Sequence, residues 1–297
     1  GAGAPDPAPA EALAEQTRIY PLWAVEKDIP AIEYPKASGQ RVNMMYPTDN
    51  SHWTKLKEFV DYEPISAITP ELRGVLASIG IVKGEPFEPT ESQRALLQRA
   101  VETAPRMILA TRQLGREDGR NLYYDDRQYE RAWAGGTAEF MQESYLDVDQ
   151  RTAFFQYAYS SAPAMVMRTI NAGSKYPVAT RDADGNFLNG SNTYRMRLPA
   201  DPTAGLFWAV TAYNVTDGTM PETEQLLPSI NSFNDVMINP DGAIDILFGP
   251  ALPDDVPESN FIQTIEGRDF LAVLRLYGAQ LGFFDQTWKP DDLVKVE

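Results

Sequence analysis

The chain lacks cysteine, has a single histidine, and sets only 26 Lys and Arg against 42 Asp and Glu in 297 residues. Without cysteine there is no thiol nucleophile, disulfide, thiolate zinc site or cysteine-held iron–sulfur cluster. One imidazole, His52, excludes multi-histidine metal centres and leaves at most one such side chain for acid–base work. A formal net charge of −16 argues against a nucleic-acid partner, whose backbone is held by basic patches. No apolar run reaches the roughly 18 residues that a membrane-spanning helix needs. No G-x-G-x-x-G or Walker-type loop supports nucleotide chemistry.

What is present suits a globular protein: 43% hydrophobic residues and 11% aromatics are enough to build a core. The opening Gly1–Ala10 is Pro/Ala-rich and reads as an exposed arm. It lacks the basic and apolar regions of an intact signal peptide, as a mature exported chain would and as a truncated one would too. Helix signals dominate as far as Asn171, and short strands with Gly, Asn and Asp turns follow from Gly173. The expected organisation is an arm over 1–18, a mainly helical region over 19–172 and an antiparallel β domain over 173–297. The fold class is α+β, with the helical half packed on a β-sandwich-like domain.

Several helices can be placed. Trp53, Leu56, Phe59 and Val60 form a one-sided stripe over His52–Tyr62, with Asn50 or Ser51 as the expected cap. Pro70–Ile79 repeats the pattern, and Gly80 stops it. Thr90-Glu-Ser-Gln93 has capping-box spacing ahead of Leu96, Leu97, Ala100 and Val101, in a helix expected to continue past Pro105 to Gly115. A further helix is expected over Asp147–Ala162, with Phe154, Phe155, Ala158 and Tyr159 inward. Ile19–Leu22 reads as extended and Ala31–Asn50 as a long ordered loop or a loose hairpin, while Arg116–Glu143 gives no clear period. In the second half Thr193–Leu198, Leu206–Tyr213, Ala243–Phe248 and Phe270–Tyr277 read as strands, with Asp184-Gly185 and Asp241-Gly242 as turns.

Candidate chemistry follows from residue type and spacing. Asp182 and Asp184, in Asp182-Ala-Asp184-Gly185-Asn186, offer hard oxygen ligands, and calcium is the candidate ion. Gly185 comes too early for a calcium loop of the EF-hand kind, so a hairpin turn is the competing reading. Adjacent acids such as Asp125/Asp126 and Asp254/Asp255 lie in polar, turn-like sequence where carboxylates are normally solvated. On the strands, Tyr194, Arg195, Arg197, Trp208, Tyr213, Arg275 and Tyr277 form an aromatic and cationic set. Alternation puts Arg195 and Arg197 on one face, opposite Tyr194. Arg275 stands in the apolar run Leu271–Leu276, where an unpaired guanidinium is costly. A carboxylate partner is therefore expected, from the fold or from a ligand.

The order of several short motifs resembles the bacterial domain-of-unknown-function family numbered 1214. They are Asp182-Ala-Asp184-Gly185 with Leu188 and Gly190, Tyr194-Arg195, Pro199, Phe207-Trp208-Ala-Val-Thr-Ala-Tyr213, Asn239-Pro-Asp241-Gly242, Leu274-Arg275-Leu276-Tyr277 and Trp288. Ile19–Leu22 and Trp53–Phe87 resemble the helical link to the partner domain, numbered 1254, that usually leads. Asn214 stands where the family has Asp, and Asn260-Phe261-Ile262-Gln263 and Ser229–Asn234 depart from its pattern. The resemblance implies an exported, β-sandwich-like bacterial protein of no settled activity, and supplies no catalytic residues.

Two functions are weighed. The first is a periplasmic or secreted enzyme acting on a small molecule or sugar, with Asp182, Tyr194 and Arg275 catalytic and Arg195, Trp208, Tyr213 and Tyr277 binding substrate. No cofactor is expected beyond calcium at Asp182 and Asp184. The second is a binding or assembly module without chemistry, using the aromatic strand face to hold a ligand, a partner chain or a second copy.

Overall fold

The structure, a computed structural model, describes residues 6–18, 47–117, 119, 121–133, 136–154 and 163–296. The chain divides into two units, Gly1–Tyr46 and Pro47–Glu297. In the first, the described residues form helix α1 (Ala8–Gln16), none of it buried. The extended segment read at Ile19–Leu22 lies outside the described residues.

The second unit opens with α2 (Ser51–Tyr62), α3 (Pro70–Ser78) and the long α4 (Glu91–Glu117). Asn50 does not cap α2 with its side chain; the Asp49 carboxylate instead accepts the Ser51 amide at 2.9 Å. The capping box of α4 is formed as read: the Thr90 amide donates to Gln93 Oε1 at 2.8 Å and the Gln93 amide to Thr90 Oγ1 at 3.3 Å. Gly80 ends α3 at φ +89°, a conformation that an L residue with a Cβ resists. The inward stripe of α4 is narrower than its composition suggests. Leu97, Val101, Pro105, Ile108 and Arg112 recur at three- and four-residue spacing and turn in, while Leu96 is exposed. In α2, likewise, Val60 is buried and Phe59 is not. Helix α5 (Val148–Ala153) is capped by Asp147, whose Oδ1 accepts the Gln150 amide. The expected continuation through Phe155, Ala158 and Tyr159 lies outside the described residues.

The strands form two sheets. The larger has the order β1 (Tyr129–Glu130), β3 (Val178–Ala179), β9 (Phe270–Ala279), β5 (Ala204–Asn214), β6 (Ser229–Asn231), with β2 (Ser174–Lys175) also pairing β9. The smaller runs β10 (Val294–Val296), β4 (Thr193–Leu198), β7 (Ile244–Gly249), β8 (Phe261–Gln263). Most pairs are antiparallel, but β7 and β8 run parallel, which makes the smaller sheet mixed.

The period-two pattern fixes which face packs. Tyr194, Met196 and Leu198 of β4 and Ile246 and Phe248 of β7 meet Trp208, Val210 and Ala212 of β5 and Ala272, Leu274 and Leu276 of β9 in one core. Arg195 and Arg197 stand on the opposite face of β4, where Arg197 pairs with Asp245 and Asp241. The architecture is α+β, with helices ahead of a two-sheet sandwich.

Candidate functional site

The residues singled out on the strands do not assemble into one site. Asp182 is buried at the foot of a hairpin turn, its Oδ1 accepting the amides of Asp184 at 3.1 Å and Asn186 at 2.8 Å. Gly185 takes φ +83° there, as a turn glycine does, and Asp184 is exposed. Among the described residues no group of three or more His, Asp or Glu side chains converges to hold a metal. Tyr194 is buried in the core, and its hydroxyl accepts from the Asn189 amide and Asn192 Nδ2, each at 3.1 Å. Trp208 is buried in the same core. Arg195 is exposed on the outside of the smaller sheet.

Arg275, Tyr213 and Tyr277 share the outer face of the larger sheet. The β5–β9 register sets Ala209 beside Arg275, Thr211 beside Val273 and Phe207 beside Tyr277. The expected carboxylate is not there. Arg275 Nη1 donates to Thr211 Oγ1 at 2.8 Å and Nη2 to the Tyr213 hydroxyl at 2.6 Å, and no ion pair reaches it among the described residues. Two neutral oxygens suffice because the side chain is only half-buried, so water can solvate part of the charge. Further along this face Tyr277 stacks on Phe207, with ring centroids 3.9 Å apart.

The site with the strongest chemical character is elsewhere, in residues that gave no signal in the sequence. A cavity of about 120 Å³ is enclosed by the chain after β1, by α6 (Pro163–Val166) and the residues after it, by β2 and by α7 (Leu281–Phe284). Trp133, Tyr176, Phe283 and Phe284 give it aromatic walls, and three cations line it: Arg131, Arg168 and Lys175. Trp133 is fixed by Phe154, centroids 5.2 Å apart, and Tyr123 stacks on Phe283 at 4.6 Å.

All three cations bond main-chain carbonyls. Arg131 donates through Nη2 to Leu122 O at 2.6 Å, Arg168 through Nη2 to Phe284 O at 3.2 Å, and Lys175 Nζ to the carbonyls of Met165 and Met167. None of the three is in an ion pair among the described residues. The one carboxylate lining the cavity, Glu130, accepts from Arg112 through Nε and Nη2, both at 3.3 Å, and from Thr180 Oγ1. Arg112 and Thr180 line a neighbouring cavity of about 200 Å³, so the charge of Glu130 is already answered.

Arg168 lies near enough to Arg131 and Lys175 to act on both. Burial, and then the Arg168 charge, hold the Lys175 ammonium below the usual lysine range. Burial likewise lowers Arg131, and it pushes the Tyr123 hydroxyl up against the opposing pull of Arg168 and Arg131. Lys175 sits deep, Arg131 half-buried and Arg168 exposed at the rim.

The fold and site thus define a two-sheet α+β protein with a cationic, aromatic pocket beside the larger sheet. Residues 173–281 match the model of the family described as "Protein of unknown function (DUF1214)", so the resemblance carried by the strand motifs holds for the C-terminal part of the chain. Among solved structures, the chain is similar to the VPA0106 protein from Vibrio parahaemolyticus, at 18% identity and a TM-score of 0.46. That match covers 99% of this chain and 67% of the other. It is also similar to an uncharacterised protein from Burkholderia cenocepacia, at 14% identity and a TM-score of 0.33, over 76% of this chain and 48% of that one. No curated protein matches the chain. No helix among the described residues is long and apolar enough to cross a membrane.

Proposed function

We propose that this chain binds a small organic anion with an apolar body, in the pocket formed by Arg131, Arg168, Lys175 and the surrounding aromatic rings, as a periplasmic or secreted bacterial protein. One observation carries the reading. In a chain of formal charge −16, three cations line a single cavity and none is paired with a carboxylate among the described residues. Like charges held together cost energy unless a counter-charge joins them, and a carboxylate or phosphate matches the guanidinium fork. Trp133, Tyr176 and Phe284 offer an apolar body the flat contact that water does not.

The reading is a form of the binding-module hypothesis, with the site moved from the strand face to the pocket. Catalysis by Asp182, Tyr194 and Arg275 as a unit has no geometric support, because they lie in a turn, in the core and on an outer sheet face. A catalytic role for the pocket is favoured by Lys175, buried in its wall beside two guanidiniums and lowered in basicity by that setting.

Calorimetric titration at fixed ionic strength tests the proposal, with propionate and phenylpropionate set against their neutral amides. The acids bind and the amides do not, and Arg131→Gln or Arg168→Gln each weakens the acids by roughly tenfold, the loss of one charged hydrogen bond. Equal binding of acid and amide, or no binding of either, overturns it.

A further inference from the structure

Lys175 differs from the other lysines among the described residues, and the difference points to bond formation. Its side chain is buried, its residue only 8% exposed, and it is held on β2 by pairing with Leu276 of β9. Its amine lies 6.0 Å from the centre of the Phe284 ring, within the aromatic wall of the pocket. Two acceptors reach it, the carbonyls of Met165 and Met167. These two bonds hold the amine in place against the pocket wall. Among the described residues no carboxylate is in ion-pair range of the amine, while the Arg168 charge acts on it.

We propose that Lys175 is a nucleophile that captures the carbonyl carbon of a small oxo acid as an imine, while Arg131 and Arg168 hold the acid's carboxylate. The proposal rests on the reading of the pocket as an anion site and names the substrate class. The Lys175 nitrogen attacks the carbonyl carbon, forming a C–N bond and a carbinolamine. Both amine protons then leave with the carbonyl oxygen as one water, and the C=N bond remains. Nothing is oxidised or reduced. Desolvation in a pocket and a neighbouring cation are the two standard ways of activating a lysine amine as a nucleophile, and both act on Lys175. The other titratable groups lining the pocket are Arg131, Arg168, Tyr176, Tyr123 and Glu130, the last already engaged by Arg112 and Thr180.

The test is trapping. The full chain is incubated with glyoxylate or pyruvate and cyanoborohydride, which reduces imines to stable amines, and the adducts are mapped by peptide mass. The expected result is one dominant adduct on Lys175 near neutral pH, formed at least tenfold faster than on the exposed Lys55, Lys83 and Lys295. Propionate, which carries the acid but no carbonyl, suppresses it, and Arg168→Gln slows it about tenfold while leaving the fold intact at an exposed position. Lys175→Met abolishes it; because that variant removes a buried side chain, the mapped site in the unaltered chain is the primary readout. If adducts form on surface lysines alone while propionate still binds, the imine proposal fails and the anion reading stands. If propionate does not bind either, both fail.

Discussion

Arg275 holds its charge against Tyr213 across the β5–β9 pair, Nη2 donating to the phenol oxygen at 2.6 Å with the guanidinium carbon 5.4 Å from the same ring's centre. Nη1 meets Thr211, which in turn shares a hydrogen bond with Ser229 at 2.9 Å. The outer face of the larger sheet is thus tied across three strands by one cation and three hydroxyls. Lysine has the charge but not the fork, so it cannot serve both oxygens. Arg275→Lys is expected to cost about 1–2 kcal/mol and Tyr213→Phe about 1 kcal/mol in urea unfolding. An Arg275→Lys protein as stable as the parent would show that these bonds contribute nothing.

Gly190 is required by space and not by backbone conformation. A Cβ there would lie 2.2 Å from the Ile265 carbonyl oxygen, a main-chain atom that cannot swing aside. The Gly190 amide donates to Arg268 O at 2.8 Å, and its own carbonyl accepts from Thr264 Oγ1 at 2.9 Å, so the two segments are fastened where they touch. Gly190→Ala is expected to destabilise by about 3 kcal/mol or more, since relief needs backbone movement. A melting temperature within a degree or two of the parent would refute it.

The strand half was legible where side chains alternate with period two, most plainly in β4. Tyr194, Met196 and Leu198 turn inward and Arg195 and Arg197 outward, as their alternation requires. Gly185 and Gly242 take φ +83° in the two turns that Asp-Gly marks. The helix ends were legible where a side chain reaches back along its own turn, as Thr90 and Gln93 do. The pocket was not. Arg131, the Arg168–Lys175 stretch and Phe284 come from three distant segments, and Arg131 and Trp133 fall in Arg116–Glu143, which shows no period. Nothing local distinguishes a lysine that will be buried beside two arginines from one that will be solvated. Arg275 was half-legible: its cost in an apolar strand was apparent, but not that Thr211 and Tyr213 would meet it with neutral oxygens.

Asp182 acts as a brace for its turn. Two amides already occupy Oδ1, and Asn186 Nδ2 approaches Oδ2 at 3.5 Å, so the carboxylate is spoken for by the chain itself. Asp182→Ala removes the acceptor of both amides in a turn whose other residues are largely exposed and is expected to cost about 1 kcal/mol, while Asp182→Asn, which keeps an oxygen, costs less. Calcium at millimolar concentration should raise the Tm no more than magnesium at equal ionic strength. A calcium-specific rise that disappears in Asp184→Asn would reinstate an ion at this turn.

The pH dependence of stability carries the signature of Lys175. Its folded-state pKa is depressed, first by burial and then by Arg168, whereas in the unfolded chain it returns to about 10.5. Between those two values the unfolded state binds the proton that the folded state has given up. Stability must therefore rise with pH through the depressed value and level off near 10.5, where both states are neutral. Lys175→Met has no such proton, so the stability of the parent relative to this variant is expected to climb as the pH rises through the depressed folded-state value and to level off near 10.5 in paired urea titrations. Propionate should flatten the climb, because a carboxylate among Arg131, Arg168 and Lys175 favours the ammonium and moves the folded-state value back towards the ordinary one. Tyr123, whose hydroxyl burial pushes up, is common to both proteins and cancels in the difference. Parallel curves for parent and variant, or a parent that loses ground as pH rises, would mean that Lys175 is an ordinary solvated lysine.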